Sequence, residues 1–248
     1  MDGPQTHTKL ILDYLIHTLP ITLLELLATI AGFYFLKKSP ANIFPEKYFV
    51  QFLLFTVIVE LIGSYAPIAY FEGYNTFSFL KDTPVADNKW LYNIYSIVSG
   101  GFFAFYFAQH IKNKVWKKLL FYIMYAFVIT SIVNLLATDV FFTKDSRYSN
   151  IVGTFVILLS VILFYFDLLR SDKILNIRFS MPVYVSIGVV IFYLSITPIT
   201  IFSEYFSRGS GNSLFVEMQS KLILYSNIFM YSCFILGFLI CSRKKKFS

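Results

Sequence analysis

The chain is poor in charged residues and in the side chains that form disulfides or bind metals. Only 14% of its 248 residues are charged, whereas soluble domains carry about 25%. It has three histidines and two cysteines, and the cysteines lie at Cys233 and Cys241. On one helix this spacing separates them by about 12 Å, which is too far for a disulfide bond. We therefore expect neither a disulfide nor a metal site.

Motifs that carry catalysis are also missing from the sequence. There is no His-x-x-x-His or Cys-x-x-Cys spacing, no Gly-x-Ser-x-Gly elbow and no Gly-x-x-x-x-Gly-Lys loop. The formal net charge is +7, but no soluble basic segment is present that would bind nucleic acid. The sequence thus predicts a protein that is not an enzyme, has no cofactor and does not bind nucleic acid.

Long apolar stretches fill most of the chain, of which 57% is hydrophobic. A helix that crosses a membrane needs roughly 20 mostly apolar residues, and lipid offers the backbone no other hydrogen-bond partners. We predict an all-α integral membrane protein with a single seven-helix transmembrane domain over residues 1–248. The predicted spans are Leu15–Leu36, Tyr48–Phe71, Trp90–Ile111, Leu119–Ala137, Ile151–Leu169, Met181–Phe206 and Leu222–Cys241.

The basic residues are distributed unequally between the two sets of connections. One set, which includes the C-terminal tail, holds 14 of the 21 Lys and Arg residues. Since cytoplasmic loops carry the excess of Lys and Arg, the N-terminus is predicted outside and the C-terminus in the cytoplasm. We expect the plasma (inner) membrane and its lipid bilayer as the surroundings. The basic Lys112–Lys118 loop is a candidate contact for a cytoplasmic partner.

Two parts of the chain resemble each other. Phe33-Tyr34-Phe35 in span 1 matches Phe164-Tyr165-Phe166 in span 5. A proline follows 34 residues after the first residue of each triplet, at Pro67 and at Pro198. If span 4 is a linker, spans 1–3 and 5–7 enter the membrane in the same direction. The pattern predicts a parallel repeat of three, one and three helices.

This arrangement resembles, in architecture, the small sugar and vitamin transporters of the SWEET and PnuC type. The resemblance is one of architecture and implies a small transporter. The Pro-Gln pair typical of the sugar transporters is missing, because Pro20 and Pro67 are followed by Ile21 and Ile68. A retinal pigment is excluded, because the interior of span 7 contains no lysine.

Two acidic residues, Glu25 and Glu60, lie in the middle of spans 1 and 2. Counted from the cytoplasmic ends of their spans, they lie at depths of about 16.5 and 18 Å. A carboxylate at such a depth costs a few kcal/mol, and neither residue has a basic neighbour in its own span. Two such groups close together resist simultaneous ionisation, so at least one is expected to carry a proton. A carboxyl pair that shares a proton can bind and release protons or accept a cation.

Polar residues at helical spacing accompany the two carboxyls on four spans. Stripes on spans 1, 2, 4 and 7 predict a polar seam between these helices. The candidate residues for binding a ligand or proton are Glu25, Glu60, Thr29, Thr56, Ser64, Asn134, Asn227 and Tyr231. An alternative is that the stripes are packing seams, with both carboxyls protonated and bonded to neighbouring helices.

These observations favour a protein that binds and moves a small solute, a proton or both through a polar site at mid-membrane. One alternative is a membrane sensor that signals to a separate cytoplasmic partner, since no effector domain is visible. Another is a structural subunit of a membrane complex.

Overall fold

The computed structural model describes residues 4–39, 44–202 and 213–242, and these are almost entirely helical. Two short 3₁₀ helices, Ser78–Leu80 and Asp172–Phe179, lie in connections. The α-helices of the described residues are α1 Pro4–Lys38, α2 Phe44–Gly63, α3 Tyr65–Phe71, α4 Lys89–His110, α5 Lys114–Ala137, α6 Val140–Thr143, α7 Arg147–Leu169, α8 Met181–Phe202 and α9 Ser213–Cys241.

The seven predicted spans are confirmed as helices that are long and apolar enough to cross a membrane. Helices α2 and α3 together form the second span, with a break at Ser64. Helices α1 and α9 begin well before their predicted apolar runs. Their backbone hydrogen bonds continue into polar sequence, as at the exposed Glu217–Lys221 pair in the second turn of α9. Residues 203–206 of the sixth predicted span lie outside the described residues.

Six of these helices form a closed ring. Each packs against the next in the order α1, α2, α4, α7, α8, α9, and α9 packs against α1. Helix α5 lies outside this ring, where it contacts α4 and α7. Its buried residues form one narrow stripe, Leu120, Phe127, Ser131 and Leu135. The fourth span therefore faces the membrane over most of its surface.

Two glycines allow α5 to lie in the groove between α4 and α7. A Cβ atom at Gly100 would lie 2.8 Å from the Phe127 ring and 3.5 Å from the Cα of Gly153. At Gly153 it would lie 3.1 Å from the same ring. The Phe127 ring thus occupies the space that side chains at these two positions would take, and small residues of this kind let membrane helices approach closely.

The two ends of the ring are identified by the contacts between helix termini. At one end Lys89 begins α4 and forms an ion pair with Asp145, just before α7. At the other end His110 ends α4 and lies 3.8 Å from Glu46, near the start of α2. We call these the Lys89 end and the His110 end. In the predicted orientation they are the outer and the cytoplasmic end.

An aromatic layer fills the ring toward the His110 end. The Phe49 ring lies 5.1 Å from Tyr106, 5.1 Å from Phe234 and 5.7 Å from Phe238, measured between ring centroids. These four side chains are fully or almost fully buried. Such clusters of rings pack without gaps large enough for water. The layer therefore closes the interior of the ring on this side.

Hydrogen bonds hold the connections at the Lys89 end against the helices. The Tyr65 hydroxyl donates to the carbonyl of Val85 at 2.6 Å and accepts from the Trp90 indole at 3.0 Å. The Asn93 amide nitrogen donates to the carbonyl of Lys144 at 2.9 Å, and its oxygen accepts from the Ser146 amide at 2.7 Å. One connection is thus fixed by Tyr65 of α3 together with Trp90 of α4, and another by Asn93 of α4.

The position of Asp167 three residues before Arg170 predicts an ion pair along one helix, and the structure shows a different arrangement. The Asp167 carboxylate accepts from the amides of Lys112 and Asn113 at 2.8 and 3.0 Å. Arg170 lies over the ring of Trp116 at 5.2 Å. The amides at the start of α5 have no partner within that helix, and the carboxylate satisfies two such amides with charge-assisted hydrogen bonds. The two charged side chains therefore hold the turn between α4 and α5.

Candidate functional site

A cavity of about 320 Å³ lies inside the ring between α1, α2, α4, α8 and α9. It occupies the half of the ring toward the Lys89 end, above the aromatic layer. Both Glu25 of α1 and Glu60 of α2 line it. The cavity therefore joins the two acidic residues that the sequence places at mid-membrane.

Glu25 is held by one hydrogen bond from the neighbouring helix α9. The residue is only 3% exposed, and the Tyr231 hydroxyl of α9 donates to its Oε1 at 2.9 Å. Its Oε2 is buried and accepts no hydrogen bond from the part of the chain that the structure describes. A buried carboxyl oxygen without a donor is costly. At the wall of a cavity, it is an acceptor available to a bound molecule.

Glu60 is held by a tyrosine from the neighbouring helix α4. The Tyr92 hydroxyl donates to its Oε2 at 3.0 Å. This contact depends on Gly63, one turn further along α2, where a Cβ atom would lie 2.7 Å from the Tyr92 hydroxyl oxygen. Any larger residue at this position would displace the tyrosine. Gly63 thus allows α4 to reach the second carboxyl.

A third tyrosine closes the wall of the cavity between α2 and α4. The hydroxyls of Tyr95 and Thr56 lie 3.1 Å apart, and Thr56 also lies 3.1 Å from the carbonyl of Phe52. Since the threonine has a single proton to donate, the consistent assignment is that it donates to Phe52 and accepts from Tyr95. Each of the three hydroxyls of Tyr92, Tyr95 and Tyr231 therefore donates to a side chain that lines the cavity.

The lining of the cavity is aromatic and acidic. Of its 18 described lining residues two are acids, and none is Lys, Arg or His. Eight are aromatic, namely Phe52, Tyr92, Tyr95, Phe103, Phe192, Tyr193, Tyr231 and Phe234. The faces of aromatic rings carry partial negative charge, as the carboxyl oxygens do. The cavity thus combines negative potential with apolar walls.

Five of the eight predicted site residues line the cavity together. They are Glu25, Glu60, Thr56, Asn227 and Tyr231. Thr29 lies one turn behind the cavity, where its hydroxyl donates to the carbonyl of Glu25 at 2.8 Å. The Asn227 amide donates to the carbonyl of Ile223 in its own helix at 2.9 Å.

The structure does not bring Ser64 and Asn134 into the cavity. The Ser64 hydroxyl donates to the carbonyl of Leu61 at the break between α2 and α3. Asn134 lies on α5, outside the ring, and lines an open groove near the Lys89 end with Lys144 and Ser146. The polar stripe of the fourth span therefore faces other partners, and the third and sixth spans take its place at the cavity.

The sequence reasoning missed the tyrosines of α4 and α8. Tyr92 and Tyr95 lie three residues apart and share a face of α4 with Ser96 and Ser99, which was a readable polar stripe. Tyr193 of α8 gave no such signal. In a chain with 18 tyrosines, those that face a cavity look the same as those that pack or contact lipid.

A second cavity of about 220 Å³ lies beside the first, between α4, α7 and α8. It shares Tyr92, Tyr95, Phe192 and Tyr193 with the first cavity. Its remaining walls are rich in neutral polar side chains, namely Asn93, Ser96, Ser99, Ser149, Asn150, Thr154, Thr197 and Thr200. Asp145 also lines it. Shared aromatic side chains thus separate a cavity lined by two buried carboxyls from one lined mostly by neutral polar groups.

Metal binding is not favoured by the described residues. Among them there is no group of three or more His, Cys, Asp or Glu side chains placed to hold a metal ion. No protein-family model, curated protein sequence or solved structure matches the chain.

Proposed function

We propose that the protein binds a small solute, a proton or both in the cavity and moves it across the membrane. The observation that carries this proposal is Glu25 Oε2, a buried carboxyl oxygen without a hydrogen-bond donor at the wall of the cavity. Glu60 lines the same space. Glu25 and Glu60 are proposed as the groups that bind and release protons.

The alternative of a packing seam fits this geometry less well. A carboxyl kept in lipid for packing alone is expected to have both oxygens satisfied by neighbouring helices. Glu25 has a donor on one oxygen only, and the neighbouring space remains unfilled by side chains. A cavity of about 320 Å³ lies within the range of small-molecule binding sites.

The arrangement of the ring supports a transport mechanism with two similar halves. Helix α1 packs on α9, and α4 packs on α7. The predicted repeat makes α1, α2 and α4 equivalent to α7, α8 and α9. Under this equivalence the contact of α1 with α9 corresponds to the contact of α7 with α4. The cavity lies at the border of these halves. Movement of one half against the other would open the aromatic layer toward the His110 end.

Flux in proteoliposomes tests the proposal. Liposomes that contain the purified protein and a pH-sensitive dye receive a pH gradient, either alone or with external ethanolamine, glucose or glutamate. We expect at least one of these conditions to produce a proton flux above that of empty liposomes. Glu25→Gln and Glu60→Gln should abolish this flux, because glutamine keeps the size of the side chain but cannot exchange a proton.

Glu217→Gln is the matched control. Glu217 is an exposed acid on α9 that pairs with Lys221, and its replacement should leave the flux unchanged. A flux that is the same in the wild type and in both cavity variants would remove the carboxyls from the mechanism. A wild type that equals empty liposomes under every condition would contradict transport itself.

A further inference from the structure

The chemistry of the cavity identifies a class of ligand. We infer that the cavity binds a small organic cation with a protonated primary or secondary amine, which enters in exchange for one proton held by the carboxyl pair. The inference rests on the proposed function for its transport role, but the binding of the amine can be measured independently of transport.

Charge is the first reason for a cation. The groups that face Glu25 across the cavity are Glu60 of α2, Tyr92 and Tyr95 of α4, Tyr193 of α8 and Tyr231 of α9. All are acids or neutral hydroxyls, and among the residues that the structure describes no basic side chain lines the space. At mid-membrane depth, a carboxylate without a cation is strongly disfavoured. A cationic ligand supplies the missing charge, whereas an anion would be repelled.

Size and aromatic content favour an organic cation over a metal ion. The volume of about 320 Å³ is far larger than a bare ion requires. The described lining holds only two carboxyls, whereas hard cations such as Ca²⁺ take six to eight oxygen ligands. Eight aromatic side chains line the cavity, and Phe192 and Tyr193 meet edge to face at 5.2 Å. Ring faces bind ammonium groups through cation–π attraction and also contact apolar parts of a ligand.

The hydrogen bonds distinguish an amine with N–H groups from a quaternary ammonium. Tyr231 and Tyr92 each occupy one oxygen of a carboxyl. The remaining oxygen of Glu25 has no donor among the described residues. A quaternary ammonium has no N–H to offer this oxygen. A primary or secondary ammonium donates to it and forms a charge-assisted hydrogen bond.

The exchange is balanced in charge and in protons. The empty pair holds a proton on a carboxyl oxygen. When R–NH₃⁺ arrives, the O–H bond of this carboxyl breaks and the proton leaves to water. The carboxylate then accepts a hydrogen bond from the ammonium. No covalent bond to the ligand forms, and one positive charge replaces another. One proton is therefore released for each amine bound.

Calorimetry with phenethylammonium tests the inference on the full-length protein in detergent micelles. Its neutral analogue 2-phenylethanol and the anion 3-phenylpropionate serve as comparison ligands. We expect the ammonium to bind at least 10-fold more tightly than either. Titrations in buffers with different heats of ionisation should report the release of about one proton per amine.

Three variants separate the cavity from other sites of binding. Glu25→Gln should weaken binding of phenethylammonium by about 10- to 100-fold, because it removes a charged acceptor. Phe192→Leu should weaken it by about 2- to 5-fold through loss of a cation–π contact. Glu217→Gln should change nothing. The Glu25→Gln/Glu60→Gln double variant gives the background of partition into the micelle.

Two outcomes would overturn the inference. One is equal binding of the ammonium and the alcohol by the wild type, which requires no variant to fold. The other is unchanged affinity for the ammonium in both Glu25→Gln and Phe192→Leu. Glu-dependent flux in liposomes without amine binding would leave the transport proposal standing and remove only the ligand class. Amine binding without any flux would leave the ligand class standing and contradict only the transport proposal.

Discussion

Removal of the Tyr231 hydroxyl is expected to destabilise the protein only because Glu25 loses the hydrogen bond that it accepts from this hydroxyl. Tyr231 is 3% exposed, and its hydroxyl donates to Glu25 at 2.9 Å across the contact between α1 and α9. In Tyr231→Phe the ring remains and keeps its edge-to-face contact with Phe234 at 5.7 Å. The substitution therefore removes one hydrogen bond and little packing.

The magnitude follows from the state in which Glu25 is left. Hydrogen bonds between membrane helices contribute about 0.6 kcal/mol on average and about 1.7 kcal/mol at most. Because Glu25 Oε2 already has no donor, loss of Tyr231 leaves the whole carboxyl without a partner among the described residues. We therefore expect a cost near the upper end, about 1.5 kcal/mol. In a Glu25→Leu background the hydroxyl has no acceptor, so its removal should be neutral or stabilising.

Unfolding in sodium dodecyl sulphate, followed by tryptophan fluorescence, measures the effect of Tyr231→Phe on stability in the wild type and in Glu25→Leu. The difference between the two backgrounds is the coupling energy of the pair, and we expect about 1.5 kcal/mol. Tyr125→Phe is the matched control, because Tyr125 is 58% exposed on α5. The same cost of Tyr231→Phe with and without Glu25 would refute the assigned hydrogen bond.

Three further predictions concern packing, a connection and the proton exchange. Gly188→Val should lower the free energy of unfolding by about 1 to 3 kcal/mol, because a Cβ at Gly188 would lie 3.0 Å from the carbonyl of Met230. An unchanged denaturation curve would contradict the close approach of α8 and α9. Asp167→Ala should lower the free energy of unfolding by about 1 kcal/mol in the same assay, because two amides at the start of α5 lose their acceptor. An unchanged free energy would show that water fully replaces the carboxylate as acceptor. The Kd of phenethylammonium should rise as the pH falls from 8 to 6, because binding releases a proton and protons therefore oppose it; a flat profile in calorimetry would contradict the exchange.

The helices and their polar core were largely predictable from the sequence. Seven apolar runs require seven helices, because lipid leaves the backbone no other partners. The pairing of Glu25 with Glu60 followed from equal depth on consecutive antiparallel helices. Tyr231 and Asn227 followed from their spacing of four residues on one face of span 7. Each of these arguments uses distance along one helix, which the sequence fixes through the rise per residue.

The order of helices around the ring was not predictable in this way. Asn134 has the polar spacing of a site residue, but its helix lies outside the ring. In a bilayer the outside of a bundle is as apolar as its inside, so the pattern of a span does not identify its neighbours. For the same reason Tyr193 could not be distinguished from a lipid-facing aromatic residue, whereas Tyr92 and Tyr95 lie on a polar stripe of α4 that the sequence does show.

Accessibility of cysteines to a water-soluble reagent tests the central claim, that the two carboxyls face one wet cavity and not the lipid. Single cysteines replace Glu25, Glu60, Ile30 or Ile58 in a variant whose two native cysteines are alanine. Ile30 and Ile58 are 62% and 45% exposed on the outer surface of α1 and α2. A thiol reacts as the thiolate, which forms in water and not in lipid. We predict that a cationic methanethiosulfonate labels positions 25 and 60 and leaves 30 and 58 unlabelled. Labelling at positions 30 and 58 without labelling at positions 25 and 60 would contradict the claim that the two carboxyls face the cavity.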